Sequence, residues 1–225
     1  MLNLLNYGTK GDGITDDSDI INGENKLKNL SVGLLTNLFD SEYIYQNVDD
    51  PWEQTTDIED KKLIINFLVK SLNVIDKIEH ITEIGCGYGN LLKYINKSYP
   101  NIKLLGYDNS QTCIIRNRNN NNHNNISFKV KRFNEFDYID NKKTDIILLA
   151  DITWYILDDL DNFILNLNKN FKGKYFIHIL TTYPNQNQKY GLNFFKTHDD
   201  IINYFNMNII CSGLLGDKSY FLAKI

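Results

Sequence analysis

The chain lacks any long apolar run, so nothing in it reads as a membrane-spanning helix. Its N-terminus also lacks a basic stretch followed by an apolar one, the pattern of a secretory leader. Cysteine is scarce. Cys86, Cys113 and Cys211 lie far apart, with no CxxC pair and no even set from which to build a disulfide framework. They read as reduced thiols, and together with the missing leader they point to the cytoplasm. Positive charge is not in excess: the net charge is -4 and the pI about 5.6, which gives no global field for a polyanion and argues against a nucleic-acid partner. No internal repeat is present to build a solenoid. What remains is 225 residues, 42% of them hydrophobic, enough to bury one sizeable core with an attachment.

That core is organised around His80-Ile-Thr-Glu-Ile-Gly-Cys-Gly-Tyr-Gly-Asn90. A short apolar strand, Ile81 to Ile84, breaks into alternating glycines at 85, 87 and 89. Leu91, Leu92, Tyr94 and Ile95 then recur at helical spacing. Strand, Gly-rich turn and helix N-terminus in that order let a ligand approach bare backbone. Glu83 sits near the end of this strand, and Asp108 ends the next apolar run, Ile102 to Tyr107. Two acids on consecutive strands suit a ligand with a ribose diol. The turn is not a dinucleotide fingerprint, because Asn90 stands where G-x-G-x-x-G needs its last small residue. It is not a Walker loop either, because Asn90-Leu91-Leu92 replaces the Gly-Lys-Ser/Thr end.

Glu83-Ile-Gly-Cys-Gly-Tyr-Gly89, followed by Gly106-Tyr-Asp-Asn-Ser110, resembles the class I S-adenosylmethionine (SAM)-dependent methyltransferases over residues 57 to 225. The resemblance implies an α/β, Rossmann-like three-layer sandwich. Its sheet would have seven strands in the order 3-2-1-4-5-7-6, mostly parallel with strand 7 antiparallel, behind an N-terminal helical or loop arm over residues 1 to 56. SAM is the implied cofactor. Gly85, Gly87 and Gly89, with Cys86 and Tyr88 between them, would meet its methionine and ribose portions. Asp108 and Asn109 would take the ribose, and Glu83 the turn or the amine.

Within the arm, Tyr7-Gly-Thr-Lys-Gly-Asp-Gly-Ile-Thr-Asp-Asp-Ser18 is similar to the opening of pectate-lyase-like β-helix proteins, but no coils follow. An EF-hand's terminal Glu is missing as well, so no metal is expected. Leu27, Leu30, Leu34 and Leu35 suit a short amphipathic helix over residues 24 to 40. The aromatic segment 42 to 53 comes next, with Asp50-Pro51 fixing an extended turn before Trp52. In the family this region commonly forms a lid, which makes Tyr43, Tyr45 and Trp52 candidate substrate walls; equally, they pin the arm to the core. Asp57 is placed to cap a helix burying Leu63, Ile64, Phe67, Leu68 and Leu72.

Beyond the turn, strand and helix alternate. Ser110 caps a helix through Ile114 and Ile115, and Arg118 to Asn125 reads as an Asn-rich surface loop. Strand Ile126 to Val130 leads to Arg132 and Phe133 at the family's adenine position, where Phe133 and Asn134 are the candidates. Residues 144 to 150 form a continuous apolar run, as a strand buried on both faces requires. Asp151-Ile-Thr-Trp-Tyr155 follows at the strand's C-terminal end. It is not the N-P-P-Y or D-P-P-Y of amino-methyltransferases that act on bases or glutamine. Asp151 is the candidate base and a cofactor neighbour, while Thr153, Trp154 and Tyr155 are candidate pocket walls. A helix over Asp158 to Phe171 and a strand over Gly173 to Leu180 then lead to Thr181 and Tyr183, also substrate candidates. His178, inside that strand, reads as a satisfied imidazole. A helix from His198 to Phe205 precedes a closing hairpin of Met207 to Cys211 and Ser219 to Ile225.

These readings point to methyl transfer onto a small molecule. The acceptor is read as an oxygen of a sugar, a nucleotide-linked metabolite or a phosphoramidate-type metabolite. A looser resemblance is to small bacterial methyltransferases of polysaccharide biosynthesis. The alternatives are a non-catalytic SAM- or nucleotide-binding partner subunit, or methylation of protein or RNA. No membrane association is expected, and a homodimer is left open.

Overall fold

The computed structural model describes residues 38–51, 59–72, 77–133, 143–182 and 194–225. Two helices, α1 (Leu38–Asn47) and α2 (Glu59–Lys70), precede strand β1 (His80–Ile84). Then come α3 (Asn90–Ser98), β2 (Lys103–Asp108), α4 (Gln111–Asn119), β3 (Ile126–Val130) and β4 (Ile146–Ala150). Two short 3-10 turns, Thr153–Tyr155 and Leu157–Asp159, lead into α5 (Leu160–Asn170). β5 (Tyr175–Thr181), α6 (His198–Phe205), β6 (Asn208–Leu215) and β7 (Lys218–Lys224) complete the chain. The seven strands form one sheet in the order β3-β2-β1-β4-β5-β7-β6, as expected from the resemblance. β1 to β5 are parallel, and β7 runs antiparallel to both β5 and β6.

β4 shows why this is a three-layer fold. Its side chains alternate between two cores, Ile146 and Leu148 to one face, Ile147 and Leu149 to the other, and all of them are buried. The first face is covered by α2, α3 and α4 through Ile65, Leu68, Leu92, Ile95 and Ile114. The second is covered by α5 and α6 through Phe163, Leu167, Ile201 and Phe205. β1 also lies against two strands, paired on one side with β2 and on the other with β4. The chemistry-bearing C-terminal ends of β1, β2 and β4 therefore share one edge of the sheet, and the start of antiparallel β7 joins them there.

Several local expectations are corrected. The buried stripe of α2 is Ile64, Ile65, Leu68 and Val69, with Leu72 just beyond it, whereas Leu63 (59%) and Phe67 (50%) are exposed. α2 packs on β6 and β7 near the sheet edge, so Phe67 rests edge-on against Tyr220 at 6.1 Å instead of entering the core. Asp57, the expected cap, lies outside the described residues, as do Trp52, Asn134 and Tyr183 and the whole stretch from 1 to 37. Part of the aromatic segment is helical: α1 runs to Asn47, held by Gln46 to Glu42 and by Asn47 to the carbonyl of Tyr43. The Asn-rich stretch is not merely a loop, since α4 extends through Asn119 and Asn125 donates to the carbonyls of Pro100 and Ile102. β5 begins at Tyr175, because Gly173 sits at φ 83 in the turn before it. β6 continues to Leu215, four residues past the expected end.

Candidate active site

The Gly-rich turn is pinned from beneath by the next strand. The N–H groups of Gly85 and Cys86 both donate to the carbonyl of Tyr107 at 2.8 Å, and Gly89 closes the turn onto Cys86. All three glycines have positive φ, at 72°, 49° and 66°. Two of them are also fixed by packing. A Cβ on Gly85 would fall 2.4 Å from Ile152, and one on Gly89 would fall 2.6 Å from the Phe128 ring. α3 starts directly from Gly89, which no side chain among the described residues caps. Asn117, buried on α4, donates to the Gly87 carbonyl at 2.6 Å. No motif in the sequence marks that contact.

Asp108 is buried, and its two oxygens accept from the N–H groups of Gly87 (2.9 Å) and Ser110 (3.0 Å). It therefore joins the turn to the N-terminus of α4. Burial raises its carboxyl above the usual range against the lowering effect of those donors. Glu83 is in a starker position. It is 3% exposed, and Oε2 has no hydrogen-bond partner among the described residues. Burial, opposed by Lys61 and reinforced by Asp108, pushes its carboxyl up to about 8. A buried carboxylate oxygen without a donor is costly, and such groups cluster at functional sites.

α1 lies over this corner. Glu42 accepts from Ser110 Oγ at 2.7 Å and from Thr112 Oγ1 at 2.5 Å, and Asn109 donates to Ser41 Oγ. Tyr45 is buried beside Asp108, Cys86 and Cys113, and its ring meets that of Tyr88 edge-on at 5.5 Å. Tyr88 donates its hydroxyl to the carbonyl of Asp49 and accepts from Arg116 at 2.8 Å. Tyr43 is exposed. The arm is thus clasped to the turn by Glu42 and Tyr45. Glu42 has no signature in the sequence beyond being one more acid on a helix.

At the end of β4, Asp151 adopts φ 57, a left-handed conformation that Asp tolerates better than most residues. Oδ1 accepts from the N–H of Thr181 at 2.6 Å, and Oδ2 meets the Lys61 ammonium at 2.5 Å. Burial would raise this carboxyl, but the charges of Lys61 and Lys218 and these hydrogen bonds hold it below the usual value. Lys218 opens β7 opposite Thr181 and is only 2% exposed. Neither lysine was distinguishable in the sequence from a solvated surface charge. Thr181 is buried, with no partner for Oγ1 among the described residues. Thr153 and Trp154 turn inward: Thr153 is hydrogen-bonded to His178 Nε2 at 2.7 Å, and the indole donates to the carbonyl of Thr181. Tyr155 lies near Asp151, which adds to burial in raising its hydroxyl. His178 is a neutral core imidazole, pushed down to about 3 by burial and stacked on Phe221. Past β3, Phe133 packs on Phe163 at 4.8 Å, while Arg132 is exposed.

With this geometry in view, the chain can be set beside known proteins. Residues 81–172 match the family described as Methyltransferase domain. A search of curated proteins finds no match. Among solved structures, the plantazolicin methyltransferase BpumL, in complex with a pentazolic desmethylPZN analog and SAH, is 21% identical with a TM-score of 0.53. That match covers 67% of this chain and 58% of BpumL. An O-methyltransferase family protein from Burkholderia thailandensis is 12% identical with a TM-score of 0.60, over 85% of this chain and 63% of that one. A SAM dependent methyltransferase from Aquifex aeolicus is 15% identical with a TM-score of 0.55, over 73% and 89%. The chain thus spans under two thirds of the first two, and what it shares with all three is the fold. No helix among the described residues is long and apolar enough to cross a membrane.

Proposed function

We propose that this chain is a SAM-dependent methyltransferase that acts on an oxygen of a small-molecule acceptor. The observation that carries the reading is the pairing of Glu83 with the Gly85–Gly89 turn: a buried carboxylate oxygen with no partner among the described residues, at the end of the strand that runs into a turn without side chains at 85, 87 and 89. A ligand with an ammonium group answers the first feature, and the amino-acid end of SAM carries one. In this reading Asp108 would take the ribose hydroxyls, with Asn109 beside it, and Phe133 would lie toward the adenine. SAM supplies a methyl group on a sulfonium, displaced in line by a nucleophile, and the protein's part is chiefly positioning and desolvation.

The acceptor side is assigned to Asp151, Tyr155 and Thr181, with Thr153 and Trp154 holding that wall from behind. Asp151 is ionised and paired with Lys61, so it acts by charge and orientation more than by taking a proton. An acceptor oxygen that is already anionic, on a phosphoryl, phosphoramidate or carboxylate group, needs no base and is the class placed first. Sugar- and nucleotide-linked metabolites of a surface-polysaccharide pathway carry such groups. The net charge of -4 favours a small acceptor over a nucleic acid.

Calorimetric titration with SAM and with S-adenosylhomocysteine, beside Asp108→Ala, tests the reading. Micromolar binding that is lost in the variant is the expected result. A folded wild-type protein that binds neither nucleoside refutes it.

A further inference from the structure

Two strands that run in opposite directions meet beside Asp151. Thr181 ends β5, Lys218 opens β7, and the two are register partners, so their side chains leave the sheet on the same face. It is the face on which α2 packs, shared with Ile177 and Ile179 of β5 and Leu222 of β7. The Thr181 N–H donates to Asp151 Oδ1 at 2.6 Å, which ties the end of β5 to the end of β4. Thr181 itself is 1% exposed, and its hydroxyl has no hydrogen-bond partner among the described residues. A buried hydroxyl left in that state is costly unless a ligand completes it.

Charge at this corner does not balance either. Two ammonium groups are withdrawn from water: Lys218 is 2% exposed, and the Lys61 side chain 15%. One ionised carboxylate lies among them, since Asp151 meets Lys61 at 2.5 Å and feels the charge of Lys218 as well. Glu83 adds no charge at neutral pH, because burial keeps its carboxyl protonated up to about 8. Asp217 lies 3.3 Å from the Lys218 ammonium but is half in water, where such a pair is worth little. Among the described residues the buried corner therefore carries one positive charge more than negative. Buried charge of one sign is unfavourable until an opposite one answers it.

An oxyanion answers both features at once. It accepts the hydroxyl hydrogen of Thr181 and offsets the surplus charge, and lysine commonly serves phosphate as a point charge. We infer that Thr181 and Lys218 form an anchoring site for a phosphoryl-type oxyanion of the acceptor. Lys218 acts by its field and Thr181 by its hydrogen. A phosphoryl group has several oxygens, so one can be held at this corner while another faces the methyl donor. The inference rests on the methyltransferase reading above and deepens it, because it moves recognition of the acceptor's charge from Asp151 to the junction of β5 and β7. The Asp151 carboxylate alone would repel such a group, and the two lysines outweigh it.

The test is thermal unfolding of the full chain against inorganic phosphate, with chloride at equal ionic strength as the counterpart, and with and without excess S-adenosylhomocysteine. A ligand that binds the folded state raises the midpoint with its concentration, so the titration yields an apparent Kd. Phosphate should stabilise wild type beyond chloride, whether or not the nucleoside is present. Thr181→Val keeps the shape and deletes the unpartnered hydroxyl. It should fold at least as well as wild type and bind phosphate about 5- to 10-fold more weakly. Lys218→Met should weaken phosphate by roughly 10- to 100-fold. The threonine variant stands by itself should Lys218→Met fail to fold. No gain over chloride in wild type overturns the inference, and so does a wild-type response in either folded variant. A phosphate effect abolished by S-adenosylhomocysteine places the anion in the cofactor half, which also overturns it and leaves the cofactor reading intact. Phosphate binding that needs Thr181 and Lys218, in a protein that S-adenosylhomocysteine does not stabilise, upholds the anion site and overturns the cofactor reading instead.

Discussion

Replacing Glu83 by Gln should make the unliganded protein more stable and the cofactor complex weaker. The carboxyl is pushed up to about 8 in the fold, from an ordinary 4.5. The folded state therefore holds a proton that the unfolded chain gives up, and stability present below pH 4.5 is lost as pH rises toward 8. At pH 7 the interval traversed is 2.5 units above 4.5, so the loss is about 3 kcal/mol. Gln keeps the shape of the protonated acid without the titration. The variant should match wild type near pH 4.5 and exceed it at pH 7 by up to that amount. For a chain of this size that is a rise in Tm on the order of 5–10 °C. Urea unfolding of both proteins from pH 4.5 to 8.5 measures the difference directly. SAM should weaken in the variant at the same time, and wild-type affinity should rise with pH up to about 8, because binding an ammonium expels the proton. Parallel stability curves for the two proteins across that window would refute the reasoning.

Other expectations follow from the same geometry. Gly89→Ala puts a Cβ 2.6 Å from the Phe128 ring at φ 66, so urea unfolding should show a loss of roughly 2–4 kcal/mol, with SAM binding impaired. Glu42→Ala removes the acceptor shared by Ser110 and Thr112 and should cost about 1–2 kcal/mol, with faster amide exchange confined to residues 38–47. His178 contributes acid sensitivity. Its folded value near 3 lies below the ordinary 6.5, so stability present above 6.5 is lost as pH falls toward 3. His178→Phe should flatten the acid limb of a pH–stability curve, at a cost of about 1–2 kcal/mol at neutral pH for the unpaired Thr153 hydroxyl.

The individual strands and the Gly-rich turn could be read from the sequence because each is written locally, whereas the sheet order came with the family resemblance that the turn carries. β4 is an unbroken apolar run, and the turn is three alternating glycines between a strand and a helix. Glu83 and Asp108 were legible for the same reason, as acids at strand ends. What could not be read depends on distant pairings. Lys61 and Asp151 are 90 positions apart, and nothing in the composition of α2 distinguishes Lys61 from Lys62, which pairs with nearby Glu59 instead. The buried stripe of α2 was displaced by one position because Leu and Phe score as core wherever they fall. Its docking against β6 and β7 decides which of them is covered. Asn117 and Asn125 were submerged in an Asn-rich background that hid three specific carbonyl contacts.

The insertion of β7 between β5 and β6 has a bearing on how the molecule comes together. β6 is made before β7, yet among the described residues it pairs with no strand but β7. Until β7 has been synthesised and slotted in, β6 is an unpaired ribbon and β5 a bare hydrogen-bonding edge with buried apolar faces. Lys218 and Thr181, both of which act on Asp151, meet only at that same late step. Assembly of the nascent chain should therefore be delayed at one end of the sheet while β1, β2 and β3 are already docked, and the Gly-rich turn with Asp108 should be formed before the corner where Asp151, Thr181 and Lys218 meet.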